Sequence, residues 1–162
     1  MRIVAVFLFA AAVIMPAAAL SATTDAAKDT NKDSAVEDVF RAFDLFGNWA
    51  PDCDKEASPA NPHVSITTPS AGLVLENNDV GPGFAANRYS VLVAKRLAAD
   101  RLEVKVIFMP GGQGEQRQTL VLVVRNGTRR TMFNRVEGGP IRVRHGIAIA
   151  SGARTPVLRK CG

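Results

Sequence analysis

The chain has 162 residues, a length that predicts a single domain. Two cysteines are too few for a cysteine metal cluster, and one tryptophan and one tyrosine give little surface for stacking bases, so we do not expect a nucleic-acid partner. The formal net charge of +5 is unevenly spread: residues 23–115 carry nine basic and fourteen acidic side chains, and residues 116–162 carry ten and one. This asymmetry indicates either an anionic partner or arginines that protect edge strands from aggregation.

The N-terminal segment has the pattern of an export signal. Met1 and Arg2 give a short basic start, residues 3–19 are almost entirely apolar, and the run ends in three alanines that suit a signal peptidase. We assign residues 1–22 to a cleaved signal peptide, with an uncleaved anchor as the alternative, and place the mature protein in the periplasm or outside the cell, without stable membrane insertion. Because no cysteine follows the apolar run, a bacterial lipoprotein anchor is excluded.

A short helix is predicted next. Residues 23–33 are polar and small, which is typical of a disordered leader. Ser34 and Glu37 have the spacing of a capping box, so the folded domain is expected to begin at Ser34, and Gly47 is a suitable helix stop. Between them, apolar side chains recur at helical spacing, at Val36, Phe40, Phe43 and Phe46. This stripe should pack against one end or flank of the structure that follows.

The rest of the chain alternates short apolar runs with turn residues, which predicts β-strands. Leu102, Val104, Val106 and Phe108 form the cleanest inward face, and the strand at 89–95 is expected to place Tyr89, Val91 and Val93 on one side. Asn126-Gly127 is the strongest hairpin signal. The predicted strands cover residues 63–68, 73–76, 89–95, 102–108, 119–124, 131–136, 141–144, 147–150 and 155–161.

These strands predict a closed sheet. Consecutive strands with such short links must be antiparallel, so we predict an all-β fold over residues 34–162, a small up-and-down β-barrel with a short N-terminal helix. Cys53 lies at the first predicted strand and Cys161 in the last. In an exported chain two cysteines favour a disulfide, and a bridge from the first strand to the last is what a closed barrel would permit.

A Gly-x-Trp motif, formed by Gly47 and Trp49, lies where the helical pattern gives way to the strand pattern. With a helix before it and eight or more strands after it, the chain resembles the lipocalin-like, or calycin, barrels. The resemblance implies that Trp49 fills the closed end of the barrel and that a basic residue of the last strand packs across its ring. Arg159 and Lys160 are the basic residues at that place, and we assign this role to Arg159. The cysteine-flanking segments also resemble small exported alphaproteobacterial proteins without assigned activity. The Thr-Asp-x-Tyr loop of true lipocalins is absent.

The sequence offers no recognisable catalytic arrangement. His63 and His145 are the only histidines, neither lies in a nucleophile motif, and Ser65 beside His63 fits strand alternation. No paired-histidine spacing supports a metal, and the glycine-rich loop at 111–114 lacks the Lys-Ser/Thr of a phosphate cradle. We therefore expect no enzyme activity, no metal and no cofactor.

The barrel interior and the arginines near the end of the chain remain as candidate sites. If Arg129, Arg142 and Arg144 meet at one mouth, they would bind a carboxylate or phosphate group. Our first hypothesis is an exported, monomeric binding module for a small, anionic or partly apolar ligand. One alternative is a protease inhibitor of the bacterial Gly-x-Trp type, with residues 23–33 entering the target's cleft. The other is a structural envelope protein whose large inward residues fill the barrel.

Overall fold

The structure, a computed structural model, describes residues 30–162, and side chains from residue 36 onward. The predicted signal peptide and residues 23–29 of the predicted leader lie outside the described residues. Residues 30–162 form one helix, α1 (Thr30–Ala42), followed by ten strands. The strands are β1 Gly47–Ala50, β2 His63–Ser70, β3 Leu73–Asp79, β4 Asn87–Ala98, β5 Arg101–Phe108, β6 Gln116–Arg125, β7 Thr128–Val136, β8 Ile141–Arg144, β9 Ile147–Ala148 and β10 Leu158–Cys161.

The strands close into a barrel, as predicted. Strands β1 to β9 pair antiparallel in chain order, and β10 returns to pair with β1 on one side and with the start of β7 on the other. Eight strands, β1–β7 and β10, therefore form the barrel wall. The short strands β8 and β9 continue the sheet from the far half of β7, where Phe133 pairs with Arg144.

Turn chemistry fixes the hairpin between β6 and β7. Asn126 and Gly127 both have positive φ, 53° and 66°, which is the backbone that a two-residue type I′ turn requires. Arg125 and Thr128 pair on either side of the turn. The predicted Asn-Gly turn is therefore confirmed.

Two bulges change which side chains face the core. In β4, Val91 pairs with Val106 but Val93 pairs with the exposed Lys105, so the prediction that Val93 shares a side with Tyr89 and Val91 is wrong; Ala94 packs against the core instead. The extra residue of a bulge reverses the alternation, and residue types alone do not reveal it. In β7, a second bulge brings Met132 to the outer face beside Phe133.

The helix differs from its prediction at both ends. It is already formed at Thr30, so Ser34 lies within it rather than at its N-cap, and residues 30–33 are helical. Glu37 forms an ion pair with Arg41 and accepts a hydrogen bond from the backbone N–H of Gly72 (3.4 Å). Helix α1 ends at Ala42 rather than near Gly47, because Asp44 takes a left-handed φ of 51° and turns the chain out of the helix.

Apolar side chains fill the part of the interior beneath the helix. Helix α1 packs on β3 and β4, and it buries Val36, Phe40 and Phe43, which confirms most of the predicted stripe; Phe46 is partly buried against Phe40. The helix joins one continuous core, whose other members are Leu45, Trp49, Val64, Ile66, Val74, Val91, Leu102, Val104, Val106, Leu122 and Leu158. No helix within residues 30–162 has the length and apolar character needed to cross a membrane.

A disulfide joins Cys53 to Cys161, as predicted, with the two Cα atoms 5.6 Å apart. Cys161 pairs in register with Asn48 on β1. The loop after Cys53 is organised by Asn61, whose side-chain amide donates to the carbonyls of Asp52, Lys55 and Glu56. The bridge therefore fastens β10 to a well-ordered segment that follows β1.

Candidate functional site

The Gly-x-Trp motif closes the barrel near the helix. Trp49 is 1% exposed, and its indole N–H donates to the Leu45 carbonyl (2.8 Å). Lys160 lies directly opposite Trp49 in the β1–β10 register, with its ammonium 5.8 Å from the ring centroid, and it also contacts Asp44. Gly47 has a φ of 110°, a backbone conformation that favours glycine, and the Lys160 side chain lies over it.

The assignment of Arg159 to this motif is wrong. Arg159 pairs with Ala50 rather than with Trp49, and its guanidinium hydrogen-bonds to the Asp52 carboxylate (3.2 Å). Because successive residues of a strand point to opposite faces, only one of two neighbouring basic residues can reach the tryptophan. Leu158 is buried, so Lys160 shares its inward face and Arg159 points outward.

The remaining interior is polar and contains a cavity of about 170 Å³. Its walls come from strands on opposite sides of the barrel, together with the segment that leads into β10. The apolar lining includes Val64, Leu120 and Leu158. The polar lining includes Glu76, Asn78, Tyr89, Arg129, Thr131 and Asn134.

An ion pair crosses this interior. The Nη2 atom of Arg129 donates to both carboxylate oxygens of Glu76, at 2.8 and 2.9 Å, and the arginine is 4% exposed. Glu76 is on β3 and Arg129 on β7, which are four strands apart in either direction around the eight-stranded wall. The pair therefore spans the barrel and places two compensating charges at the cavity.

Several buried polar atoms around the cavity have no hydrogen-bond partner. The Asn134 amide donates to Gln118 Oε1 (3.0 Å), which leaves the Gln118 nitrogen and the Asn134 oxygen unpaired. Arg129 Nη1 and Asn78 Oδ1 are unpaired as well. Buried polar groups in folded proteins are nearly always hydrogen-bonded, so the three unpaired atoms on cavity-lining residues, Arg129 Nη1, Asn78 Oδ1 and Asn134 Oδ1, require partners inside the cavity, which are either ordered water or a ligand.

Tyr89 adds a phenol to the cavity wall. Its ring packs against Phe108, with centroids 5.2 Å apart. Burial raises the pKa of Tyr89 to about 12, and the negative charge of Glu76 acts in the same direction. The hydroxyl is therefore neutral at any physiological pH and can both donate and accept a hydrogen bond.

Arg129, Arg142 and Arg144 do not all meet at the cavity, so the condition set for an anion site of these three residues is not met. Of the three, only Arg129 lines the cavity. Arg142 donates to the side chain of Gln116 (2.7 Å), with its guanidinium 6.0 Å from the Phe108 ring centroid. Arg144 lines a shallow depression on the outer wall, beside Phe133. Arg142 and Arg144 are alternate residues of β8 and lie on the same side of that strand, whereas Val143 between them lines the cavity.

The sequence interpretation overlooked Glu76, Asn78, Gln118 and Asn134. A signal was present: Gln118 continues the inward alternation of Leu120 and Leu122, so a polar residue occupies a position that the pattern assigns to the core. The pairing of Glu76 with Arg129 had no such signal, because the two lie 53 residues apart and meet only when the sheet closes.

His63 contributes to local structure, and His145 lines the depression on the outer wall beside Arg144. His63 Nε2 lies 2.8 Å from the Lys55 carbonyl oxygen and 3.2 Å from the Asn61 amide, within the disulfide-linked loop region. Although His63 pairs with Asp79 across β2 and β3, neither Asp79 nor Ser65 has a hydrogen bond to it in the described structure. Within residues 30–162, no group of three or more His, Cys, Asp and Glu side chains could hold a metal ion.

Comparisons with known proteins do not assign a family. No protein-family model matches the chain, and neither curated proteins nor solved structures give a significant match. The lipocalin-like resemblance therefore stays a prediction, and the function has to be argued from the cavity itself.

Proposed function

We propose that the protein is a non-catalytic binding module that holds one small ligand in the interior cavity. The observation that carries this proposal is the group of three unpaired buried atoms on cavity-lining residues, on Asn78, Arg129 and Asn134. Water that enters the cavity can pair with these atoms, at an entropic cost of about 0–2 kcal/mol for each water held in place. A small ligand that makes the same hydrogen bonds and releases that water gains this entropy on binding, which favours a loaded cavity.

The cavity volume limits the size of the ligand. A volume of about 170 Å³ corresponds to roughly six water molecules at ~30 Å³ each. We therefore expect a ligand of roughly six to ten non-hydrogen atoms, because organic atoms pack more densely than water. The apolar core fills the helix end of the barrel, so a long-chain lipid does not fit, although Val64, Leu120 and Leu158 offer one apolar side to a small molecule.

We place this binding module in the periplasm or outside the cell. The basic start and apolar run of residues 1–19 support export. The Cys53–Cys161 disulfide supports an oxidising compartment, since cytosolic thiols are normally kept reduced.

Native mass spectrometry of the protein purified from its own host tests the proposal. We expect an additional mass that is lost on denaturation. The matched variants are Asn78→Leu, which places an apolar side chain in the cavity wall, and Asn77→Leu, which alters the outer face one residue earlier. The first should lose the additional mass and the second should keep it. A wild-type protein that carries no additional mass would contradict the proposal and favour a structural barrel or a protein partner.

A further inference from the structure

We infer that the cavity selects a neutral ligand that both donates and accepts hydrogen bonds, such as a small amide or a polyol. This inference rests on the proposed binding function and specifies its ligand class. It departs from the anionic ligand that the arginine-rich end of the sequence predicted.

The Arg129–Glu76 ion pair disfavours an anionic ligand at Arg129. Arg129 contacts Glu76 through both carboxylate oxygens, so the positive charge on the wall is already compensated. An anionic ligand at the free Nη1 of Arg129 would lie close to the Glu76 carboxylate, and the repulsion is strong where water is excluded. Arg130 also lines the cavity; its charge has no carboxylate partner in the described structure, but its Nη2 and Nε atoms already donate to the Gly146 carbonyl (2.9 Å) and the Thr155 hydroxyl (3.1 Å).

The unpaired atoms of the cavity-lining residues also require a ligand with two kinds of hydrogen-bonding group. Arg129 Nη1 is a donor, whereas Asn78 Oδ1 and Asn134 Oδ1 are acceptors. A carboxylate has only acceptor oxygens and would leave both asparagine oxygens unpaired. An ammonium group has only donors and would leave the Arg129 nitrogen unpaired. An amide or a pair of hydroxyl groups satisfies both sets, and leaving buried polar groups unpaired is an effective way to reject the wrong ligand.

The isosteric pair acetamide and acetate tests this selection. The two probes have the same size and shape but differ in charge and in donor capacity. We expect acetamide to shift the side-chain amide NMR signals of Asn78, Gln118 and Asn134 in a saturable manner, with an affinity at least tenfold higher than that of acetate. The Asn77 side-chain signal, from the outer face, is the internal control.

The Glu76→Gln variant should reverse the preference for acetamide over acetate. Without the carboxylate, Arg129 becomes an uncompensated cation, so acetate should gain at least tenfold in affinity and approach or exceed acetamide. If Glu76→Gln does not fold, the neutral double variant Glu76→Gln with Arg129→Gln should retain the preference for acetamide. Equal or tighter binding of acetate by the wild type would overturn the inference.

The results separate this inference from the proposed function. A co-purified acid, or acetate bound in the wild-type cavity, would overturn the neutral ligand class and leave the binding function standing. A bare native protein that binds neither probe would overturn both. A co-purified neutral molecule with hydroxyl or amide groups would support both.

Discussion

Removing the Cys53–Cys161 disulfide should cost the protein a large part of its stability. The perturbation is Cys53→Ser with Cys161→Ser, which leaves no unpaired thiol. The two cysteines are 108 residues apart in the sequence. For a closed loop of that length, the chain-entropy relation gives about 4–5 kcal/mol at 25 °C. Small domains unfold with a total free energy of about 5–15 kcal/mol, so the barrel should be only marginally stable without the bond.

Urea unfolding measures this loss, with the fluorescence of Trp49 as the probe. Trp49 is the only tryptophan and is buried beside the β1–β10 pairing, so its signal reports on closure of the barrel. Wild-type protein treated with a reductant is the matched control, and it should unfold at the same urea concentration as the double-serine variant. The dependence of the unfolding free energy on urea should rise, because the unfolded chain is no longer cross-linked.

A measured loss below about 1 kcal/mol would refute this reasoning. It would mean that the unfolded chain keeps its two ends close together without the bond, so that the disulfide constrains little. A reduced wild type that is much less stable than the double-serine variant would also contradict it, since both proteins lack the same cross-link.

Three further measurements test the contacts described above. Tyr89 is the only tyrosine, so its ultraviolet absorbance should titrate with a pKa of about 12 in the native protein. This raised pKa contributes about 2–3 kcal/mol of stability below pH 10, and that contribution is lost as the pH rises from 10 to 12. The Tyr89→Phe variant should not show this loss of stability. A native pKa of Tyr89 near 10 would contradict the prediction. Lys160→Ala should lower the unfolding free energy by about 0.5–1 kcal/mol and shift the fluorescence emission of Trp49. Arg159→Ala should leave that emission unchanged. An emission shift in Arg159→Ala but not in Lys160→Ala would identify Arg159 as the residue that packs on the tryptophan. Asn134→Leu should lower the unfolding free energy by about 1–3 kcal/mol, because it leaves the Gln118 side chain without a hydrogen-bond partner. The double variant Asn134→Leu with Gln118→Leu should recover most of that loss in urea unfolding. A double variant that recovers no stability would show that the two amides do not act as a pair.

The features that the sequence predicted correctly are those set by local chemistry. Asn126-Gly127 determines its own turn, and the alternation from Leu102 to Val106 determines which side of β5 is buried. The disulfide was predictable as well, because the chain has only two cysteines.

The errors arose where the outcome depends on contacts between distant strands or on a single inserted residue. One bulge in β4 turned Val93 outward, and the register of β10 against β1 chose Lys160 over Arg159. The candidate site was the least predictable part, because Glu76 and Arg129 become neighbours only across the finished barrel. The excess of basic residues after position 115 therefore suggested an anion site, although Arg129, one of the two arginines that line the cavity, is already paired with Glu76.

Strand β10 closes the barrel wall by pairing unequally with its two neighbours, and we call the weaker contact, between β7 and β10, the seam. Strands β6 and β7 pair through eight residue pairs, whereas β10 pairs with β7 through only Leu158 and Arg159. On its other side, β10 is secured to β1 by three residue pairs and by the disulfide. Local unfolding starts where the fewest hydrogen bonds must break, so the barrel should part first between β7 and β10. Arg129, which lines the cavity, lies on that seam, so opening of the seam would widen the access of solvent and ligand to the cavity while the rest of the barrel remains folded.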